Sequence, residues 1–128
     1  MLIAPAADFT QALLAPRLPP EAQEALARDG QWTRPSQYDG EGYPITRALL
    51  EDGAHWTILP GPVAIDVPVR ILQGAQDPDV PWEHALRLAR ALKTPDVVFT
   101  LIGDGDHRLL RPQDLQRLIA AVEDVVEA

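Results

Sequence analysis

The sequence predicts an α/β fold with a parallel sheet, and residues 68–107 carry that prediction. Two short apolar runs, at residues 69–73 and 97–102, have the length and composition of buried strands. Between them, apolar side chains recur at helical spacing after Pro81, a residue that suits the start of a helix. A strand, a helix and a second strand joined by short connections form a βαβ unit, whose strands are parallel and whose crossover is right-handed.

The composition is that of one acidic domain without cysteine. The 128 residues carry a net charge of −8 and are enough for a hydrophobic core. Because no basic stripe is available to neutralise phosphates, we expect no nucleic acid partner and no membrane partner. The lack of cysteine excludes disulfides and thiolate metal sites. No apolar run approaches the ~20 residues that cross a bilayer and no secretory signal is visible, so we expect a cytoplasmic location.

The first residues form an apolar run that predicts a buried strand from Met1 to Ala4. Buried strands of parallel sheets usually follow a helix or a loop, whereas this run begins at the initiator methionine. One interpretation is a short terminal strand at a sheet edge. The other is that the chain begins in the middle of a larger fold.

The next segment, residues 9–60, is the least regular part of the sequence. We expect a short helix over residues 20–28, a turn-like stretch over 32–43 and a second short helix over 44–51. Aromatic side chains gather in this segment, and they are our candidate substrate-binding residues: Trp32, Tyr38, Tyr43 and Trp56. They form a small satellite core or belong to a lid that lines a pocket for an apolar group, and neither interpretation excludes the other.

A last helix is expected after residue 107, with Pro112 near its start. Its apolar stripe should pack on a face of the sheet, and Asp114 should lie on the solvated polar face. The stripe consists of Leu115, Leu118, Ile119, Val122, Val125 and Val126. The chain therefore divides into a first strand (1–8), an insertion (9–60) and a C-terminal βαβα part (61–128).

Asp77 and His107 are the candidate catalytic residues. Asp77 lies a few residues after the first strand of the βαβ unit, and His107 a few residues after the second. Because parallel strands end at the same edge of a sheet, a carboxylate and an imidazole can meet there. A histidine that acts as a general base needs such a carboxylate to fix its tautomer and to stabilise the imidazolium.

Other interpretations of the acidic residues stay open. Asp79 could replace Asp77 as the acid, or it could serve the start of the following helix. The pairs Asp77–Asp79 and Asp104–Asp106 have oxygen ligands for a hard cation, but such spacing is common in turns. We therefore predict no metal site. We also predict no cofactor, because the sequence has no glycine-rich phosphate loop and no dinucleotide fingerprint.

Several segments resemble the α/β-hydrolases, in particular bacterial serine esterases and acyl-protein thioesterases. RILQGAQDPDVP (residues 70–81) resembles their acid turn, and TLIGDGDH (100–107) resembles their histidine loop. WTRPS (32–36) and YPITRALLEDG (43–53) resemble their lid. The resemblance covers essentially all of this chain but only one half of such an enzyme.

The resemblance implies a partial α/β-hydrolase fold, namely strands 6–8 of the parallel sheet with a helical lid insertion. It implies that Asp77 is the acid and His107 the base of a Ser-Asp-His triad. The implied substrate is a small-molecule acyl ester or thioester. The sequence itself has one serine, Ser36, which does not stand in a G-x-S-x-G turn.

In this family the serine turn and part of the oxyanion hole precede the residue aligned with Met1. We therefore expect a truncation, a fragmentary gene model or one half of a split enzyme, with negligible hydrolysis by the chain alone. We also expect self-association, or pairing with a missing N-terminal half, through the open edge of the first strand. The alternative is a non-catalytic α/β fragment or small binding module; a flavodoxin-like fold would need repeated βα units before residue 60.

Overall fold

The computed structural model describes residues 1–36 and 39–128. The chain forms two compact units: one comprises Met1–Ala7 and Ile58–Ala128, and the other comprises Asp8–Thr57. The strands, in chain order, are β1 (Leu2–Ile3), β2 (Gln31–Arg34), β3 (Tyr43–Thr46), β4 (Val69–Gly74) and β5 (Val97–Ile102). The α-helices are α1 (Pro20–Asp29), α2 (Arg47–Gly53), α3 (Trp82–Ala91) and α4 (Pro112–Glu127).

The larger unit is built on a parallel sheet with the strand order β1-β4-β5. Val69 lies opposite Val97 and Gly74 opposite Ile102, so β4 and β5 run side by side along their whole length. With α3 between them, these strands form the predicted βαβ unit, and β5 has the predicted bounds. The prediction of an α/β fold with a parallel sheet is confirmed.

The central strand β4 is buried on both faces, because a helix covers each of them. On one face Ile71 packs with Leu88 of α3. On the other face Leu72 packs with Ile102, and Leu118 of α4 contacts the same cluster. All six residues of β4 are buried, and burying a side chain such as Ile71 contributes about 1.5–3 kcal/mol to the stability of this unit.

The prediction of a buried first strand is wrong. β1 spans only Leu2–Ile3, and these side chains are 37% and 41% exposed. The reason is its place in the sheet: β1 pairs with β4 on one side, and among the described residues no strand pairs with its other side. β1 is therefore a short strand at the edge of this sheet, a position that both interpretations of the first residues allow.

The predicted packing of the last helix is also partly wrong. Most of the predicted stripe is exposed, namely Leu115, Ile119, Val122 and Val126. The face of α4 that packs on the sheet runs through Asp114, Leu118 and Ala121 instead. The apolar residues of α4 cover two adjacent faces of the helix, and only one of these can contact the sheet. Asp114, which we expected to be solvated, is completely buried.

The smaller unit has an antiparallel hairpin where we expected turns. β2 pairs with β3, with Trp32 opposite Ile45. The second helix consequently begins at Arg47 and not at residue 44, because Thr46 ends the hairpin and caps the helix. Its Oγ1 accepts a hydrogen bond from the Leu49 N–H at 3.1 Å. The connection between the strands uses Gly42 at φ +74°, where a Cβ would lie 2.5 Å from the carbonyl oxygen of Arg34.

The rest of the smaller unit follows the predicted helix. α1 spans Pro20–Asp29 and ends at Gly30, which has the left-handed φ of +75° that favours glycine at this position. Leu14, Leu26 and Ile45 form the buried core of this unit. In the described part of the chain, no helix combines the length and the apolar character that spanning a bilayer requires.

Candidate active site

The site lies where β4 and β5 end beside each other. Gln76 N–H donates a hydrogen bond to Gly105 O at 2.9 Å, which ties the turn after β4 to the loop after β5. The two segments approach so closely that a Cβ on Gly74 would lie 2.3 Å from the carbonyl oxygen of Asp106. Glycine at position 74 is therefore required for this contact.

This approach brings the two candidate catalytic side chains into contact. His107 Nδ1 lies 2.8 Å from Asp77 Oδ2, a distance typical of a charge-assisted hydrogen bond. The Asp77 side chain is fully buried, whereas the His107 side chain is 44% exposed. With Nδ1 donating to the carboxylate, Nε2 is the ring nitrogen that can take a proton from a reacting group. The pair has the geometry of an acid that orients a general base.

The carboxylate of Asp77 is held at both oxygens. Oδ1 accepts hydrogen bonds from the backbone N–H groups of Asp79 at 2.8 Å and Val80 at 3.0 Å. Oδ2 accepts from Gln73 Nε2 at 3.3 Å as well as from His107. Burial alone would raise the pKa of the Asp77 carboxyl, but the bonds from Val80, His107 and Asp79 outweigh it and lower that pKa below its usual value. Asp77 is therefore ionised beside His107 at neutral pH.

Asp79 contributes its backbone to the site. Its N–H caps Asp77, while its carboxylate, Asp77 and His107 offer atoms that all lie within 4.8 Å of one another. These are the described residues that could hold a metal ion. Both Asp77 oxygens already accept hydrogen bonds, so a metal would have to displace some of these bonds. The prediction of no metal site stays a prediction.

The candidate substrate-binding aromatics all belong to the smaller unit. Trp32 packs against the buried cluster of that unit, which favours the satellite-core interpretation for this residue. Tyr43 and Trp56 are 51% and 74% exposed, and Trp56 Nε1 donates a hydrogen bond to Asp52 at 3.1 Å. Tyr38 lies outside the described residues. The role of these side chains in substrate binding stays a prediction.

An ionic cluster that was not predicted from the sequence lies on both sides of the histidine loop. Arg111 donates to both oxygens of Asp104, at 2.7 and 3.0 Å, and to both oxygens of the buried Asp114, at 2.6 and 3.1 Å. Arg117 also contacts Asp114, at 2.9 Å. Asp104 comes just before His107 and Arg111 just after it, so this cluster fixes both ends of the loop to the start of α4. The spacing of Arg111, Asp114 and Arg117 in the first turns of a helix was the available signal.

The comparison with known proteins finds relatives of greater length. No known protein-family profile matches the chain. The mouse protein named palmitoyl-protein thioesterase ABHD10, mitochondrial, is 36% identical over 111 residues, which cover 86% of this chain and 37% of that protein. The human protein of the same name is 30% identical over 112 residues, with 87% and 37% covered. The chain thus spans less than half the length of the curated relatives that it matches.

Two solved structures match almost the whole chain. A protein from Agrobacterium vitis S4, assigned as a hydrolase, has a TM-score of 0.90 and 46% identity, covering 98% of this chain and 48% of that one. The mouse α/β-hydrolase domain-containing protein 10 has a TM-score of 0.81 and 34% identity, covering 98% and 51%. The expectation of a cytoplasmic location is contradicted by the relatives from mouse, rat and cattle, which are named as mitochondrial proteins.

Proposed function

We propose that this chain supplies the acid and the general base of a serine ester or thioester hydrolase. The premise is that the chain has part of an α/β-hydrolase fold. One observation carries the proposal: the 2.8 Å contact between His107 Nδ1 and the buried, ionised Asp77. The relatives named as palmitoyl-protein thioesterases support an acyl thioester as the substrate class.

In the proposed reaction, His107 Nε2 takes the proton of a serine hydroxyl as the serine oxygen bonds to the acyl carbon. The protonated imidazole is stabilised by the carboxylate of Asp77, which stays ionised. His107 then gives the proton to the leaving alkoxide or thiolate as the bond to the acyl carbon breaks. Water releases the acyl group from the serine by the same proton transfers. The proposal places that serine outside these 128 residues, because Ser36 does not stand in a nucleophile turn.

A chimera tests this function. This chain replaces the matching segment of the Agrobacterium vitis hydrolase, which has the same fold over nearly all of the chain. We expect the chimera to hydrolyse p-nitrophenyl esters and S-acyl thioesters, and the host without the segment to hydrolyse neither. A folded chimera that is inactive, beside an active host, would contradict the proposal and favour a non-catalytic module.

We further propose that the open edge of β1 pairs with another strand, from a second copy or from the rest of a hydrolase fold. The exposed side chains of Leu2 and Ile3 support this, because an apolar strand edge favours pairing with another chain. The isolated chain should therefore self-associate as its concentration rises, as measured by light scattering. Ile3→Pro, which removes a backbone donor, should favour the monomer. Val126→Lys, on the exposed face of α4, is the control; if only this variant becomes monomeric, the edge is not the interface.

A further inference from the structure

Gln73 and Arg70 are the two polar residues of strand β4, and the side chain of Gln73 is completely buried. Its Nε2 lies 3.0 Å from Val80 O, 3.1 Å from Gly74 O and 3.3 Å from Asp77 Oδ2. One carboxamide thus connects the end of the strand, the candidate catalytic acid and Val80, which lies two residues before α3 begins.

The orientation of this carboxamide follows from its neighbours. All three atoms that face Nε2 are hydrogen-bond acceptors, so the amide cannot be turned around without placing Oε1 against them. Oε1 itself has no partner, and it is the one buried side-chain polar atom of the described residues in that state. An amide that leaves its acceptor unsatisfied in a buried site, while all its donors are engaged, is held there through its donors.

The contact with Asp77 acts at the oxygen that matters for His107. Backbone N–H groups hold Oδ1, but at Oδ2 the only donors in the described structure are Gln73 Nε2 and His107 Nδ1. The terminal torsion of an aspartate is broad, so capping of one oxygen by the turn does not by itself fix the carboxylate plane. A second donor at Oδ2 fixes the carboxylate plane and keeps that oxygen in line with the imidazole.

We propose that Gln73 is a positioning residue whose carboxamide donors fix the carboxylate plane of Asp77 and thereby the orientation of His107. This inference rests on the proposed function, in which Asp77 orients His107 as the general base. Gln73 does not touch the reacting atoms in this role; it acts through Asp77.

Solvent exchange of the His107 Nδ1 proton, followed by NMR on this chain, tests the proposal. Gln73→Met keeps a straight side chain of similar length but removes both donors. We expect the exchange to become about fivefold faster, as the loss of one hydrogen bond predicts. The control is Leu72→Met, at the neighbouring position of β4, where the side chain packs on the cluster with Ile102. The control should leave the exchange rate unchanged, and His107→Ala assigns the signal. An unchanged rate in Gln73→Met would overturn the proposal.

A second measurement needs no variant at position 73. The Gln73 side-chain amide protons should exchange at least about tenfold more slowly than those of the exposed Gln116, because they are buried and bonded. Equal rates would overturn the proposal even if Gln73→Met does not fold.

The proposed function and the role of Gln73 can be tested separately. If the wild-type chain shows no protected Nδ1 proton, the proposed Asp77–His107 pair is wrong. If the proton is protected but its exchange rate is unchanged in Gln73→Met, only the role of Gln73 is wrong.

Discussion

Replacing His107 with alanine should lower ester hydrolysis by the chimera about 10³-fold or more, which is within the range for the loss of a general base. The reason is that His107 is the imidazole that contacts Asp77. The other side chain that donates to Asp77, the amide of Gln73, cannot act as a base, so no other described group at this carboxylate can take the proton of the serine. The binding of the ester should change little, because the imidazole acts mainly in the transition state. The loss should therefore appear in kcat, measured with a p-nitrophenyl ester under saturating conditions.

The matched control for this variant is His55→Ala. His55 is an exposed histidine of the smaller unit, so its replacement removes an imidazole without touching Asp77. This variant should keep the activity of the parent chimera. Equal losses in the two variants, or an unchanged kcat in His107→Ala, would show that His107 is not the base.

Replacing Asp114 with asparagine should lower the Tm of this chain by more than about 5 °C, because breaking a buried ion pair is among the most destabilising single changes. Asp114 is completely buried and accepts hydrogen bonds from Arg111 and Arg117. Asparagine has the same shape but no charge, and it would face two guanidinium groups with one acceptor fewer. The loss should also loosen the histidine loop, since Arg111 connects Asp114 to Asp104.

The stabilisation that the Asp114 carboxylate provides should decrease as the pH falls. The hydrogen bond from Arg111 is the main cause that holds the pKa of the Asp114 carboxyl below its usual value. A lowered pKa in the folded chain adds stability that is fully present above the usual carboxyl pKa of about 4 and is lost as the pH falls through the lower value. The Tm difference between the wild-type chain and Asp114→Asn should thus be constant near neutral pH and shrink in acid.

Calorimetry of the two chains over this pH range measures the effect. Glu123→Gln, an exposed position on the same helix, is the control and should leave the Tm close to that of the wild-type chain. A Tm difference that grows as the pH falls, or an Asp114→Asn variant as stable as the control, would contradict the role given to this ionic cluster.

The parts of the structure that the sequence predicted are those set by local pattern and strand direction. The apolar runs at residues 69–73 and 97–102 were short, regular and joined by a helical pattern, so the βαβ unit followed. The parallel direction of β4 and β5 then placed Asp77 and His107 at one edge, and their contact agrees with this. The resemblance of this chain to α/β-hydrolases is confirmed by the similar sequences and structures.

The parts that could not be predicted depend on contacts and burial that arise only in the folded chain. The β2–β3 hairpin was missed because its strands have four residues each and stand among prolines and glycines; cross-strand pairs such as Trp32 and Ile45 stabilise it. Asp114 was assigned to the solvated face because an aspartate is rarely buried; its spacing from Arg111 indicated the ion pair, but not that the packing of α4 on the sheet buries it. Gln73 gave no signal within an apolar run, since its role depends on Asp77 and Val80.

The most direct test of the proposed function is to compare kcat of the chimera after Asp77→Asn with kcat after Asp79→Asn. The two residues share one turn, but Asp77 bonds His107 through its carboxylate, whereas Asp79 contributes its backbone N–H. Asp77→Asn should lower kcat of the chimera about 10⁴-fold, because an amide in place of the carboxylate favours the wrong imidazole tautomer. Asp79→Asn keeps its backbone donor and should retain near-parental activity. A large loss in Asp79→Asn with near-parental activity in Asp77→Asn would contradict the assignment of Asp77 as the acid.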